Sequence, residues 1–526
     1  MTAAAGCGGG GGSGGATPDA AVDAQLGLDR IVDVQVNEAG NACSTPVGPG
    51  KVHNETEITT SVNWTESDSP HVVKNMITVG GTALAILSID PCAVVRFEAG
   101  AGLAVAPAGK RGGLSILPPS RFSGVVLTGT SATPGHWQGI SFGPGNNVDD
   151  DSASSVLHHT TIEYAGGPSG RAGGADATIY VEGTGRASSS LKVGVNNVAI
   201  RYSGRYGIYT TNGGHIKAAE AGGLLEITKG EYRAARLEAG FFSALPAGIY
   251  TGNKEEGIEL KGADPICVCN DPGQGEMRCG YGLCVNTAGN WGARRVPYYV
   301  SGIIHVGRTT SPTELPMTLT VIAPATFRMA PDSGFEVGVD TKQIAGLVLA
   351  GDGSNPIVLT TDEAASPPMS PPPAAPGYWR GILFGPYSDW SGQGSRVLHT
   401  RIEGAGKPIG RDVSKTCGMA AIMGNQGAIV FNHDNPKDAT LPELCSSSPG
   451  APRCLDPSRY NNIRNTAITR SSGHAIVRGW AAGASDMNPD FTAAALNNKF
   501  EEIAGCDQTN PQINGTCSPC AKGPPP

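Results

Sequence analysis

With 526 residues, a formal net charge of −8 and a pI near 5.7, the chain is acidic, and its Lys and Arg are dispersed along it. That removes an electrostatic case for nucleic-acid binding. Charged residues make up 16% and hydrophobic ones 39%, the balance of a foldable chain with a long thin core, and no run of roughly 18 apolar residues is present to span a bilayer as a helix.

In chain order, residues 1–25 form a Gly-, Ala- and Asp-rich flexible tether that contains Cys7. A first unit follows over 26–266. Its short runs, such as Met76-Ile77-Thr78-Val79, Leu87-Ser88-Ile89, Val94-Val95-Arg96-Phe97 and Leu103-Ala104-Val105, alternate or are β-branched. The period is about 2 rather than about 3.6, and Gly, Pro or Asn cuts each run, so the runs read as strands joined by turns. Gly and Pro number 76 and 39, a density that suits tight corners and disfavours long helices. Few stretches offer a capped amphipathic helix, with Glu231–Ala239 first among them as a short one. A Cys-rich inserted loop (267–290) leads to a second unit (291–505) with inserted loops at 360–376 and 416–456. A Cys- and Pro-rich tail (506–526) ends the chain.

The second unit repeats the first. Residues 64–79 match 291–306, pairing Trp64 with Trp291 and Pro70 with Pro297, and LSIDPCAVVRF (87–97) matches LTVIAPATFRM (319–329) without a gap. The segments around Trp137 and Trp379 then align, followed by AIRYSGRYGI (199–208) with AITRSSGHAI (467–476). The offset grows from 227 to 242 to 268, so the second copy carries extra loops of about 15 and 26 residues. Insertions that spare the flanking pattern are what a stacked repeat tolerates. The expected fold is therefore all-β: a single-stranded parallel β-helix, or solenoid, of two duplicated units stacked or in tandem. Its length implies about 15–20 coils of roughly 20–25 residues.

The phrase carried by Trp291, Pro297, Tyr298, Val300, Gly302, Ile304 and Val306, then Leu319–Met329, Pro356–Thr360 and Gly377–Ile382, resembles the repeats of secreted and surface-attached bacterial proteins with right-handed parallel β-helices. The resemblance covers roughly 60–505 and implies the fold, its right hand and display at a cell surface. It does not imply an activity, because such folds host many functions. Ala4-Ala5-Gly6-Cys7 resembles a bacterial lipobox with Cys7 as the lipidated residue. With Gly8 behind it, the resemblance implies export and a lipid anchor in the outer membrane.

Cysteine usage fits an oxidising compartment. Setting Cys7 aside, 12 of the 13 Cys fall in even groups: Cys43 and Cys92; Cys267, Cys269, Cys279 and Cys284; and Cys417, Cys445, Cys454, Cys506, Cys517 and Cys520. Disulfides within each group are expected. The spacing of 267–284 lacks the paired C-x2-C knuckles of a zinc site.

No catalytic constellation stands out in the sequence. Asp149, Asp150 and Asp151 are adjacent acids in a loop, read first as a solvated turn and second as a weak Ca²⁺ site. Gly473-His474 and Gly214-His215-Ile216-Lys217 lack an acidic pair at a matching position. The duplicated pairs His159/Glu163 and His399/Glu403 recur with identical spacing, which points to structure: His inward or stacked on the next coil, Glu outward. Trp137 and Trp379 are expected to cover the core at a corner. The resulting expectation is a non-enzymatic scaffold, adhesin or binder of an extended ligand, a polysaccharide or a surface protein, with no cofactor and no nucleic acid. The alternative is a polysaccharide lyase or hydrolase of the same fold class.

Overall fold

The computed structural model describes Cys43, Pro46 and residues 48–145, 155–171, 174–184, 191–263, 283–285, 288–307, 317–339, 344–362, 375–385, 388–389, 394–408, 426–432, 462–479 and 490–509. It is all-β, and every named sheet pairing is parallel. The described helical elements are single 3₁₀ turns, such as Glu66–Asp68 and Ala239–Ala244. The segment read as a short helix, 231–239, instead enters the strand Ala235–Glu238. There Ala235 and Leu237 face the core while Arg236 points out, and ladder pairing outweighs the helix propensity of an Ala-, Arg- and Glu-rich run.

Successive strands visit three sheets in turn, and each strand pairs with the one a full round before and after it. One sheet of 14 strands, from Glu57–Ile58 to Lys499–Glu501, runs through both copies. The junction between copies is an ordinary parallel pairing, with Ile258, Glu259, Leu260 and Lys261 opposite Tyr298, Tyr299, Val300 and Ser301. The other two places in each round change sheets near the junction. The leading place, just before the long sheet, is filled by a sheet of 8 strands and then one of 5. The trailing place is filled by a sheet of 6 strands and then one of 7. The described residues thus make 14 rounds against the 15–20 expected from the length, and connections between strands lengthen many of them.

The period-2 pattern decides which residues go inside. Ile77 and Val79, Leu103 and Val105, Ile179 and Val181 are fully buried and stack round on round in one continuous core. Corners are made by single residues in the left-handed region, among them His159 (φ 44°), Asn197 (φ 52°), His399 (φ 47°) and Asn465 (φ 51°). His and Asn enter that region more readily than most side chains.

The 3₁₀ turn Ala239–Ala244 takes a strand's place in the trailing position. It packs between His215–Ala218, the last strand of the first trailing sheet, and Cys284–Val285, the first of the second. Phe242 enters the core there, edge-on to Trp291 (5.3 Å, 82°) and Tyr298 (5.1 Å, 70°). Counting that turn as a place, the strands of Trp64 and Trp291 stand 22 places apart, one more than seven rounds of three, so the second copy starts one sheet further round. Val94–Phe97 lies in the leading sheet, whereas its counterpart Ala325–Met329 lies in the long sheet. Gly139–Phe142 lies in the long sheet, whereas Gly381–Phe384 lies in the trailing one.

This seam carries a titratable group. His215 is buried and stacks on Phe241 of the turn (4.4 Å, 6°). Burial, aided by Lys192 and Lys217 and opposed by the Gly213 carbonyl, brings its pKa down to about 4. An unfolded-chain histidine takes up its proton near pH ~6.5, so between there and about pH 4 the unfolded chain binds more protons and stability falls as pH drops. The expected loss is on the order of 3 kcal/mol at pH 4 relative to pH 8. Urea midpoints measured across that range should fall less steeply for His215→Gln; parallel curves would contradict the assignment.

Candidate functional site

The residues singled out in sequence go to different places. Asp149, Asp150 and Asp151 lie outside the described residues, as do Cys7, Cys267, Cys269, Cys279, Cys417, Cys445, Cys454, Cys517 and Cys520. Cys43 and Cys92 form a disulfide, and Cys284 and Cys506 are disulfide-bonded as well. His159 and His399 do not point into the core. They are half-buried corner residues, and His399 Nε2 meets Asn465 Nδ2 of the next round at 3.1 Å. Glu163 and Glu403 are half-buried and face outward. Trp137 and Trp379 are fully buried, and each Nε1 donates to a carbonyl, of Glu163 and of Glu403, at 2.8 Å. That bond explains why the Trp and the L-x-H-x-x-I-E phrase recur together: the ring of one round is tied to the strand of the next. Among the described residues, no three His, Cys, Asp or Glu side chains converge as a metal site.

The long sheet's outer face holds what sequence reading missed. Its strands place Tyr180, Tyr209, Arg236, Glu259, Tyr299 and Arg328 directly opposite one another, one per round, in a single outward row. Each alternates with buried neighbours, as Tyr299 does between Tyr298 and Val300, so its outward direction follows from the core pattern. The row crosses from the first copy into the second without a break.

Loops at the corner before the long sheet add a second tier. The 165–176 loop is pinned by Asp176 Oδ1, which accepts from Ser169 N at 2.8 Å and Ser169 Oγ at 2.6 Å. It carries Arg171 over the Tyr180 ring at 4.3 Å. The next corner brings Arg205 over Tyr232 at 4.6 Å, and the one after brings Arg233 over Tyr299 at 3.6 Å. Gly257 (φ +148°) lets the Tyr299 ring lie against the backbone, since a Cβ there would come 2.5 Å from its Cε2.

Glu259 is the hub. It accepts from the Tyr206 hydroxyl at 2.7 Å and lies 3.1 Å from Arg236 Nε and 3.5 Å from Arg233 Nη1. Glu255 lies 3.5 Å from Arg233 Nε. Burial first, and the Glu259 charge second, raise the Tyr206 phenol well above the ordinary tyrosine range, and burial pushes Tyr180 up to about 12. Both phenols therefore stay protonated donors at neutral pH. The result is a strip of Tyr and Arg side chains fixed by cation–π and ionic contacts.

No family model matches the chain, and no curated protein or solved structure matches it either. The sequence signal for the strip was present in YSGRYGIY (202–209) and EYRAAR (231–236), where Tyr and Arg interleave. Only the register shows that Tyr180, Tyr299 and Arg328 join them.

Proposed function

We propose that this protein is a right-handed parallel β-helix that binds an extended polysaccharide along its long sheet without cleaving it, and that it is displayed at the outer membrane through a lipid on Cys7. The observation that carries the binding reading is the row from Tyr180 to Arg328, one side chain per round. Rungs about 4.8 Å apart suit a polymer whose units repeat on a similar scale. The right hand follows the rule for crossovers between parallel strands, and three sheets visited in turn are what such a helix requires. The disulfides agree with export.

The test is a glycan array of polymeric ligands probed with the full chain, with a parallel assay for new reducing ends or unsaturated products. Binding to a polymer without turnover, weakened at least about tenfold by Tyr209→Ala, is the expected result. Absence of binding across polymeric glycans, or binding indifferent to Tyr209→Ala, would remove the reading, and product release would replace it with a polysaccharide-active enzyme.

A further inference from the structure

The faces of the tyrosine rings in the strip are already occupied. Arg171 covers Tyr180, Arg205 covers Tyr232, and Arg233 covers Tyr299, with Arg328 also 5.5 Å from the Tyr299 centroid and Arg236 5.1 Å from that of Tyr209. A sugar ring that stacks by its apolar face needs an open aromatic face. Here a ligand approaching from solvent meets guanidinium groups, held flat by the rings beneath them and offering their N–H edges. Arg205 is further held from the other side, for a Cβ on Gly174 would lie 3.6 Å from its Nη2.

Five arginines gather in the strip, and among the described residues Glu255 and Glu259 engage two of them, Arg233 and Arg236. Arg171 and Arg205 have no ion pair among the described residues, although Asp176 and Glu182 lie near enough to Arg171 to act on it. Arg171 is half-buried, and its desolvation, the largest influence on it, works against its charge. On a chain with a net charge of −8, this is a local concentration of cations on the outer face of the long sheet.

From the ring coverage and the unpaired guanidiniums we infer that the ligand is an anionic polysaccharide, its acid groups gripped by Arg171 and Arg205, with the tyrosines acting as supports beneath the guanidiniums and not as sugar-stacking surfaces. This rests on the binding reading given above and names its substrate class. A planar guanidinium presents two parallel N–H groups that match a carboxylate or a sulfate, and a stacked one has already lost most of its rotamer freedom. Single-stranded nucleic acid is the competing polyanion. It needs free aromatic faces for its bases, which the arginines deny it.

The experiment titrates the full chain, at low and at moderate salt, with sodium polygalacturonate, its methyl-esterified form, dextran sulfate, neutral dextran and an oligo-dT strand. Polygalacturonate or dextran sulfate should bind at least about tenfold more tightly than the neutral polymers, with an affinity that falls as salt rises. Whichever of the two is tighter assigns the acid as carboxylate or sulfate. Arg171→Gln with Arg205→Gln should cost at least about tenfold in that affinity. Arg205→Gln alone, at an exposed position, serves if the double variant melts early. Arg205→Lys, which keeps the charge without the fork, should recover only part of the loss. Neutral polymers bound as tightly as anionic ones, or arginine variants that bind normally, would overturn the anionic assignment while leaving the binding reading intact. Tighter binding of oligo-dT would overturn it in favour of nucleic acid. No binding to any glycan would bring down both.

Discussion

Replacing Trp137 or Trp379 with alanine lowers stability by about 3–5 kcal/mol each. Both rings are fully buried, and each loses a bond from Nε1 to a carbonyl of the following strand at 2.8 Å. Trp137 also loses the stacked ring of Phe97, whose centroid is 4.0 Å away. The two sites stand seven rounds apart, so the losses should add. Stacked repeats do not always unfold in one step, and a variant in one copy can split the transition. Urea unfolding followed by far-UV circular dichroism and by thiol-independent proteolysis reads both outcomes. A change below about 1 kcal/mol in either variant would mean that the ring is not a core element of its round.

The second large effect concerns the leading sheet. Arg201 and Glu226 form a paired-edge salt bridge at 2.9 and 3.2 Å, with side chains only 9% and 8% exposed. Glu226 also accepts from the Thr228 hydroxyl at 3.0 Å. Glu226→Ala removes the paired-edge partner of a buried guanidinium and is expected to cost about 3–5 kcal/mol. Replacing both partners with apolar residues, Arg201→Met with Glu226→Leu, should cost far less, because the penalty lies in the uncompensated charge and not in the missing pair. Denaturation of the two variants side by side decides the matter; equal losses would show that the pair itself supplies the stability.

Much of the architecture was legible because it is written locally. Short runs such as Met76–Val79 declare their inward residues through alternation, and the two Trp segments declare the duplication through near-identity. The helix expected at Glu231–Ala239 failed because its composition favours a helix while its alternation of Ala235, Arg236, Leu237 and Glu238 fits a strand, and ladder pairing decided between them. The strip was illegible for a different reason. Tyr180, Tyr209, Arg236, Glu259, Tyr299 and Arg328 are separated by loops of unequal length, so nothing in the linear order shows that they stand opposite one another. Arginines that look dispersed along the chain converge only once the register is known. Duplicated residues drew the first attention, yet His159 and His399 turned out to be corner formers, while the members of the strip differ between copies.

The turn at Ala239–Ala244 also determines which ancestral positions can ever meet. By the alignment of the two copies, Tyr299 corresponds to Val72 and Arg328 to Arg96, and those two point outward from the leading sheet. Had duplication preserved phase, with a whole number of rounds between the copies, Tyr299 and Arg328 would have faced a different side of the molecule from Tyr180 and Tyr209. The slip of one place brought two unlike surfaces into line, so the strip belongs to neither copy alone. A repeat protein built in phase doubles a surface it already has; this one, out of phase, joined two half-surfaces into one that neither parent unit possessed.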